Sequence, residues 1–342
     1  MLLQRQGWQV RGLFMKNWEE DDTANYCAAA QDLAMAQAVA SHLGIELLTV
    51  NFATEYWERV FEKFLIEYRT GRTPNPDILC NSEIKFDAFL NYALGLGAEA
   101  IATGHYAQIK SLANTTIQLC LAIDDLKDQT YFLHRLNQDQ LRLVNFPLSH
   151  LTKQQVRQIA IQANLPNAAR KDSTGICFIG ERSFQTFLAG YLSSKPGIIV
   201  TIDGEIIGEH QGLIHYTIGQ RKGIKLGGVK GQPESAWYVV KKDIEKNILY
   251  VVPGHNHPAL WNTSLDADNW HWISDQTPDT QSIYQARIRH RQPLQDCYIE
   301  PINSQVYRIN FLNPQWAIAP GQAAVLYQNN VCLGGGFIQR AV

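Results

Sequence analysis

The stretch NYCAAAQDLAMAQAVASHLGIELLTV, residues 25–50, decides the fold. Its alanine-rich part, Asn25 to Leu43, has the composition of a helix, and Gly44 is the residue type that stops one. Ile45 to Val50 then reads as a short apolar strand, and Val10 to Met15 reads as another ahead of the helix. The alternation continues. Thr54 is placed to cap a helix running to about Tyr68 and closed by Gly71, and a helix from about Ile78 to Leu94 leads into the apolar run Ala100 to Thr103. Strands alternating with helices in this way predict an α/β fold with a doubly wound parallel sheet, where ligands sit at the carboxyl ends of the strands.

Leu2 to Gln6 followed by Gly7 reads as the last turns of a helix with a glycine stop, so the sequence is expected to open inside an element. Leu151 to Leu165 reads as a helix with a capping box, Thr152 with Gln155, and Pro166 just past its end. Beyond Phe187, glycine-rich turns separate short alternating runs at 198–202, 237–240, 248–252, 283–289, 305–311 and 323–327, which predicts a β-rich remainder. Composition places domain boundaries near 185 and 262, giving units 1–185, 186–262 and 263–342. A chain of 342 residues suits such a division.

With 45% hydrophobic and 18% charged residues, and no apolar run of membrane-spanning length, the composition is that of a soluble globular protein. The N-terminus shows no secretion signal, and a cytoplasmic location is expected. A net charge of −2 gives no general affinity for polyanions, so any nucleic-acid contact must come from local basic patches. The six cysteines, at 27, 80, 120, 177, 297 and 332, form no C-x-x-C pair, which argues against a zinc ribbon or a disulfide scaffold; no structural metal is expected.

Two cysteines stand in unusual surroundings. In RTPNPDILCNS, residues 72–82, two prolines hold the chain extended, and Asp77 is suited to cap the next helix. That places Cys80 at the third helical position, where free amides and the helix dipole would favour a thiolate; a buried filler on an ordinary helix is the plain alternative. In KDSTGICFIGER, residues 171–182, Lys171 and Arg182 could stabilise a Cys177 thiolate while Gly175 and Gly180 free the backbone; a tight turn with a space-filling cysteine is the alternative. Two such cysteines suggest chemistry in which sulfur moves between them. Thr103-Gly-His-Tyr106 follows a strand at the ligand-binding edge, and Lys127 to Phe132 mixes polar and aromatic residues before a helix. The glycine-rich loop 216–228 carries Arg221, Lys222 and Lys225 but lacks the signature of a Walker loop. In a strand across 286–291, period two would put Arg287, Arg289 and Arg291 on one face, a ladder for a phosphate backbone or simply a solvated face.

Seven motifs in order, FMKNWEEDD (14–22), TPNPDILCN (73–81), ATGHY (102–106), KDQTYFL (127–133), KDSTGICFIGER (171–182), HYTIGQRKG (215–223) and APGQ (319–322), resemble the tRNA-specific 2-thiouridylases, the MnmA family. The resemblance implies an ATP-pyrophosphatase-type α/β catalytic domain, a small central tRNA-binding domain and a C-terminal β-barrel. It implies a sulfurtransferase that adenylates the C2 oxygen of the wobble uridine with ATP and magnesium, then replaces that oxygen by sulfur. By the same resemblance Cys177 carries a persulfide, received from a sulfur-relay protein or a cysteine desulfurase. Cys80 is the other catalytic thiol, able to form a disulfide with Cys177, and Asp77 joins them as a catalytic residue. Asn75, Pro76 and Asp77 would meet the target base, and Met15 and Gly104 would flank the nucleotide. His105, Lys127, Asp128, Gln129, Arg289, His290 and Gln322 would contact tRNA.

The family opens on a strand and a glycine-rich S-G-G-x-D-S-S loop for the ATP phosphates, and this sequence carries neither. The resemblance therefore implies an N-terminally incomplete α/β domain, through a misplaced start or a truncation, with lower stability than an extended chain. Beside the enzyme stands a second expectation, a catalytically inactive tRNA-binding remnant without the ATP loop. A third is a cysteine hydrolase or amidotransferase using Cys80 with His105, which leaves Cys177 unexplained.

Overall fold

The computed structural model describes residues 1–19, 28–113, 116–170, 184–224, 226 and 235–342. Cys27, Lys225 and the whole of 171–182, with Lys171, Cys177 and Arg182, lie outside the described residues.

The alternating pattern at the start produces parallel pairing. Strand β1 (Gly12–Lys16) runs beside β2 (Leu47–Asn51) in register from Gly12 opposite Leu47 to Lys16 opposite Asn51, with the helix Ala28–Leu43 between them in sequence. A second parallel pair joins β3 (Ile101–Ala102) to β6 (Val144–Asn145). Between those two in sequence, β4 (Gln108–Ser111) and β5 (Ile117–Cys120) form an antiparallel hairpin. The short helix Leu2–Arg5 ends before Gly7 at φ +89°, as its glycine stop implies.

The helical segments Ala53–Tyr56, Trp57–Phe61 and Glu62–Arg69 run on from one another, with a wider π-type turn in the middle. Thr54 does not cap them. The N-cap is Phe52, and the Asn51 side chain accepts the Ala53 N–H at 2.9 Å, so the polar group one residue ahead of the cap does the work expected of Thr54. The capping box at Thr152 and Gln155 forms as expected: Thr152 Oγ1 accepts from Gln155 N at 3.3 Å, and Gln155 Oε1 accepts from Thr152 N at 2.8 Å.

The remainder is β-rich. A four-stranded sheet has the order β8 (Ile206–His210), β7 (Gly197–Thr201), β10 (Ile248–Pro253), β9 (Trp237–Asp243). Next come β11 (Trp261–Trp272), β12 (Tyr284–Arg287), β13 (Gln295–Pro301), β14 (Tyr307–Trp316), β15 (Ala323–Gln328) and β16 (Val331–Ala341). They pair in the order β11-β14-β13-β12-β15-β16, and β16 pairs back to β11, closing a six-stranded antiparallel barrel. Strand β16 also pairs with β5, so the early hairpin extends the barrel's sheet.

The expected strand over 283–289 stops at Arg287, and residues 288–291 turn, with Arg291 at φ +67°. The arginine ladder is therefore absent, because a turn destroys the period of two that would align it.

Burial explains why these units stand together. One apolar cluster takes Ile78, Phe86, Leu90, Tyr131 and Phe146 from the α/β region and Val325, Tyr327 and Cys332 from the barrel, so the two share a core. Tyr131 seals it: its hydroxyl donates to the Ala323 carbonyl at 3.1 Å.

Candidate active site around Thr73 to Cys80

Pro74 and Pro76 leave the chain from Thr73 to Pro76 few conformations, and Asn75 enters the helix in an extended conformation, φ −112° and ψ 102°. Its side chain accepts the Asp77 N–H at 3.1 Å. The cap is thus Asn75, not Asp77, since Pro76 fills the first helical position where a missing N–H costs nothing. Cys80 consequently stands fifth in the helix, and its own N–H bonds back to the Pro76 and Asp77 carbonyls. The expected placement among free first-turn amides does not hold.

From there the helix continues through Cys80–Ala88 in π-type turns to Phe89–Gly95. Cys80 is 1% exposed and packs in a cluster with Tyr56, Val60, Phe61, Ile84 and Leu188. A reagent reaches this sulfur only if its cover moves. Asp77, one turn earlier, is held above the usual carboxylate range by burial, with Lys85 opposing the shift. A carboxyl of raised pKa beside a cysteine-bearing helix turn is suited to proton exchange.

The segment ahead of the cap is gripped from two sides. Thr73 N donates to the Pro320 carbonyl at 2.8 Å, and Gln322 Nε2 donates to the Thr73 carbonyl at 2.7 Å. Gly321 between them has φ +90°, and a Cβ there would fall 2.8 Å from Thr73 N, so the loop 319–322 needs glycine to lie this close. The Thr73 hydroxyl meets the Thr217 hydroxyl at 3.2 Å, in the loop ahead of β9. Arg72 adds a bond to the Ile338 carbonyl at 3.2 Å and an ion pair with Glu67 at 3.4 Å.

Of the other expected contacts, Asp128 is 2% exposed and spends its carboxylate on Ala122 N, the Thr130 hydroxyl and Arg287 Nη1, at 2.8, 2.6 and 2.8 Å. Gln129 accepts from Tyr106 N through its side chain at 3.0 Å. Lys127 follows a turn closed by its N–H to the Asp124 carbonyl at 2.9 Å. His290 shares a hydrogen bond with the Asp128 carbonyl at 3.2 Å, and its ring lies 4.3 Å from that of Phe132, tilted by 55°. Arg289 donates to the Ala317 carbonyl and lies 5.2 Å over the Trp316 ring. Arg221 and Lys222 are exposed beside the loop that carries Thr217.

His105 is buried, its ring 5.5 Å from Phe86 and its Nδ1 2.8 Å from the Thr103 hydroxyl. Burial pushes its pKa down to about 3, with Lys85 adding to the shift. So weak a base does not activate a thiol at neutral pH, which removes the support for a hydrolase built on Cys80 and His105. Met15 on β1 and Gly104 just past β3 stand toward the carboxyl ends of the two parallel pairs, where such folds take ligands. A Cβ on Gly104 would meet nothing closer than Leu148 Cδ1 at 3.8 Å, so its backbone is open to approach.

Sequence profiles match nearly the whole chain: "tRNA methyl transferase HUP domain" over residues 1–181, "tRNA methyl transferase PRC-barrel domain" over 185–253 and "Aminomethyltransferase beta-barrel domain" over 262–338. The tRNA-specific 2-thiouridylase MnmA of Methylobacillus flagellatus is 55% identical over 342 residues, covering 100% of this chain and 95% of that protein. This chain belongs to the tRNA-specific 2-thiouridylase family. Other 2-thiouridylases stand at similar distance: that of Nitrosomonas eutropha is 54% identical over 342 residues, covering 100% of this chain and 94% of its own, and that of Nitrosomonas europaea is 55% identical over 338 residues, covering 99% and 93%. Among solved structures, a bacterial selenocysteine-specific elongation factor aligns at 11% identity over 96% of this chain and 39% of its own with a TM-score of 0.21, which carries no argument.

Nothing in the sequence sets Thr73 and Thr217 apart. A threonine beside a proline carries no signal of its own. The one available hint was that TPNPD, TIGQ and APGQ each stood out as motifs, without any sign that they touch.

Proposed function

We propose that this protein replaces the C2 oxygen of the wobble uridine of tRNA by sulfur. The single observation that carries the reading is the half-buried Asp77 at the start of the helix that brings Cys80, in a chain 55% identical to a named 2-thiouridylase. The matching profiles are described by methyl transfer, yet the residues gathered here, a carboxyl of raised pKa one turn from a cysteine, suit sulfur transfer better.

In this reading Asn75, Pro76 and Asp77 receive the base, and Asp77 accepts or returns a proton as the C2 substituent changes. ATP with magnesium, held near Met15 and Gly104, would supply adenylation of the C2 oxygen and so make it a leaving group. Cys177 delivers sulfur that a relay protein or cysteine desulfurase has loaded as a persulfide, and Cys80 closes a disulfide with it on release. His105, Lys127, Asp128, Gln129, Arg289, His290 and Gln322 are assigned to the tRNA-facing surface, where Asp128 and His105 act by holding their neighbours because both are buried. A cytoplasmic setting follows from the substrate; among the described residues no helix is long and apolar enough to cross a membrane.

The test is thiolation of wobble-uridine tRNA, read as retardation in a mercury-containing gel. The chain, alone and extended upstream through a phosphate-binding loop, is given ATP and a persulfide donor, with Cys177→Ser as the blank. Retardation that needs ATP, Cys80 and Cys177 supports the reading. Tight tRNA binding with no retardation in either form would favour a binding protein and remove the roles given to the two cysteines.

A further inference from the structure

Thr73 is bonded to two other parts of the molecule through each of its polar groups. Its N–H reaches the Pro320 carbonyl at 2.8 Å, its carbonyl receives Gln322 Nε2 at 2.7 Å, and its hydroxyl meets that of Thr217 at 3.2 Å. The first two partners belong to the turn before β15 of the barrel, and the third to the loop that leads into β9 of the four-stranded sheet. A further contact points the same way: Gly71 has φ +76°, and a Cβ there would come 2.3 Å from Ile244 Cδ1 in the turn between β9 and β10.

We infer that Thr73 is a positioning residue, which ties the barrel and the four-stranded sheet to the start of the helix and so sets where Asp77 and Cys80 stand. The mechanical reason lies in the next three residues. Pro74 and Pro76 fix two φ angles and hold the residues before them extended, so the segment 73–76 behaves as a short stiff arm. At its far end Asn75 holds the Asp77 N–H at 3.1 Å. A displacement of Thr73 is therefore passed to the cap rather than absorbed on the way. Whatever shifts the loop 319–322 or the loop 213–220 then shifts Asp77 and the turn carrying Cys80, which makes the helix start a sensor of how the outer units are engaged. The inference rests on the proposed function only in naming Asp77 and Cys80 as reacting groups.

The experiment is hydrogen–deuterium exchange by mass spectrometry on the full chain, comparing peptides that cover 72–84 with peptides from β13 and β14. Thr73→Val and Thr217→Val each remove one side of the same hydroxyl contact. Each is expected to raise exchange in 72–84 about fivefold, the factor that one hydrogen bond of average net worth contributes, with β13 and β14 unchanged. The double variant should do no more than either single change, because both delete the same bond. Thr73→Ser, which keeps the hydroxyl, should return exchange to the wild-type rate. In the thiolation assay Thr73→Val should lower kcat while tRNA affinity holds. Exchange within twofold of wild type in both valine variants, or an equal rise in β13 and β14, overturns the positioning role. Should neither the chain nor its upstream-extended form thiolate tRNA while the exchange pattern appears, the junction stands and the proposed function falls.

Discussion

Arg287 Nη1 stands 2.8 Å from Asp128 Oδ1, across 159 residues of sequence, with the two side chains 8% and 0% exposed. The pair fastens the KDQ turn of the α/β region to the last residue of β12, and Tyr327 lies 5.4 Å beneath the guanidinium. Removing one member leaves the other charge buried without its counterpart. Arg287→Met is therefore expected to cost about 3–5 kcal/mol, and adding Asp128→Asn should recover part of it. Urea unfolding of the two variants measures both; equal losses in the single and double variants would refute the coupling.

Stability should fall on mild acidification through two histidines. Burial holds His105 and His134 at about 3, against 6.5 for a free imidazole. In the unfolded chain both take up protons below 6.5 while the folded protein refuses them, so this contribution is complete above pH 6.5 and is lost as pH falls toward 3. At pH 5 each histidine withdraws roughly 2 kcal/mol relative to neutrality. Replacing His134 by Asn should flatten the unfolding free energy between pH 7 and pH 5 by about that amount.

Asp77 trades stability against reactivity. Its folded pKa is raised, so the stability linked to it is present at low pH and is lost as pH rises from the ordinary carboxylate value of 3.8 through the raised one. An amide removes the cost of charging this buried carboxyl, so Asp77→Asn should raise the thermal midpoint while abolishing thiolation. A variant that loses both activity and stability would speak for a structural role alone.

The opposite sign governs Asp266 on β11. Hydrogen bonds from Arg308, and then Arg340, hold its carboxyl below 3.8 against the cost of burial. Its contribution is full above that value and vanishes as pH drops below it. Thermal midpoints of wild type and Asp266→Asn should differ most above about pH 5 and draw together as pH falls below 3.8 through the depressed value.

The local signals carried the reading where the chain makes its own structure. Gly7 and Gly44 end helices, Thr152 and Gln155 box a helix start, and the runs at 198–202 and 248–252 are strands within a residue or two. Strands β11 and β16 escaped because their signal is tertiary. WNTSLDADNWHW mixes acids and indoles, and VCLGGGFIQRA holds three glycines that each neighbour accommodates: a Cβ on Gly336 would strike the Asp268 carbonyl at 2.6 Å. At the site, Asn75, Asp77 and Cys80 were legible as a group, since a proline-bounded helix start is a local event. Its cap lies two residues ahead of the expected Asp77, because Asp and Asn are equally good caps and the proline between them decides. Period two would set Arg287 in a ladder for a phosphate backbone or on a solvated face, whereas the structure buries it against Asp128.

The pairing of β16 with β5 orders events in the nascent chain. Leu119 and Cys120 leave the ribosome well before Val331 and Cys332, the residues they pair with. At ordinary elongation rates the wait is roughly 10 to 40 seconds, during which the outer edge of the hairpin stays unsatisfied and Leu119, fully covered at the end, stays wet. Synthesis of this protein thus passes through an interval in which its first third carries an open edge that only the last strand covers.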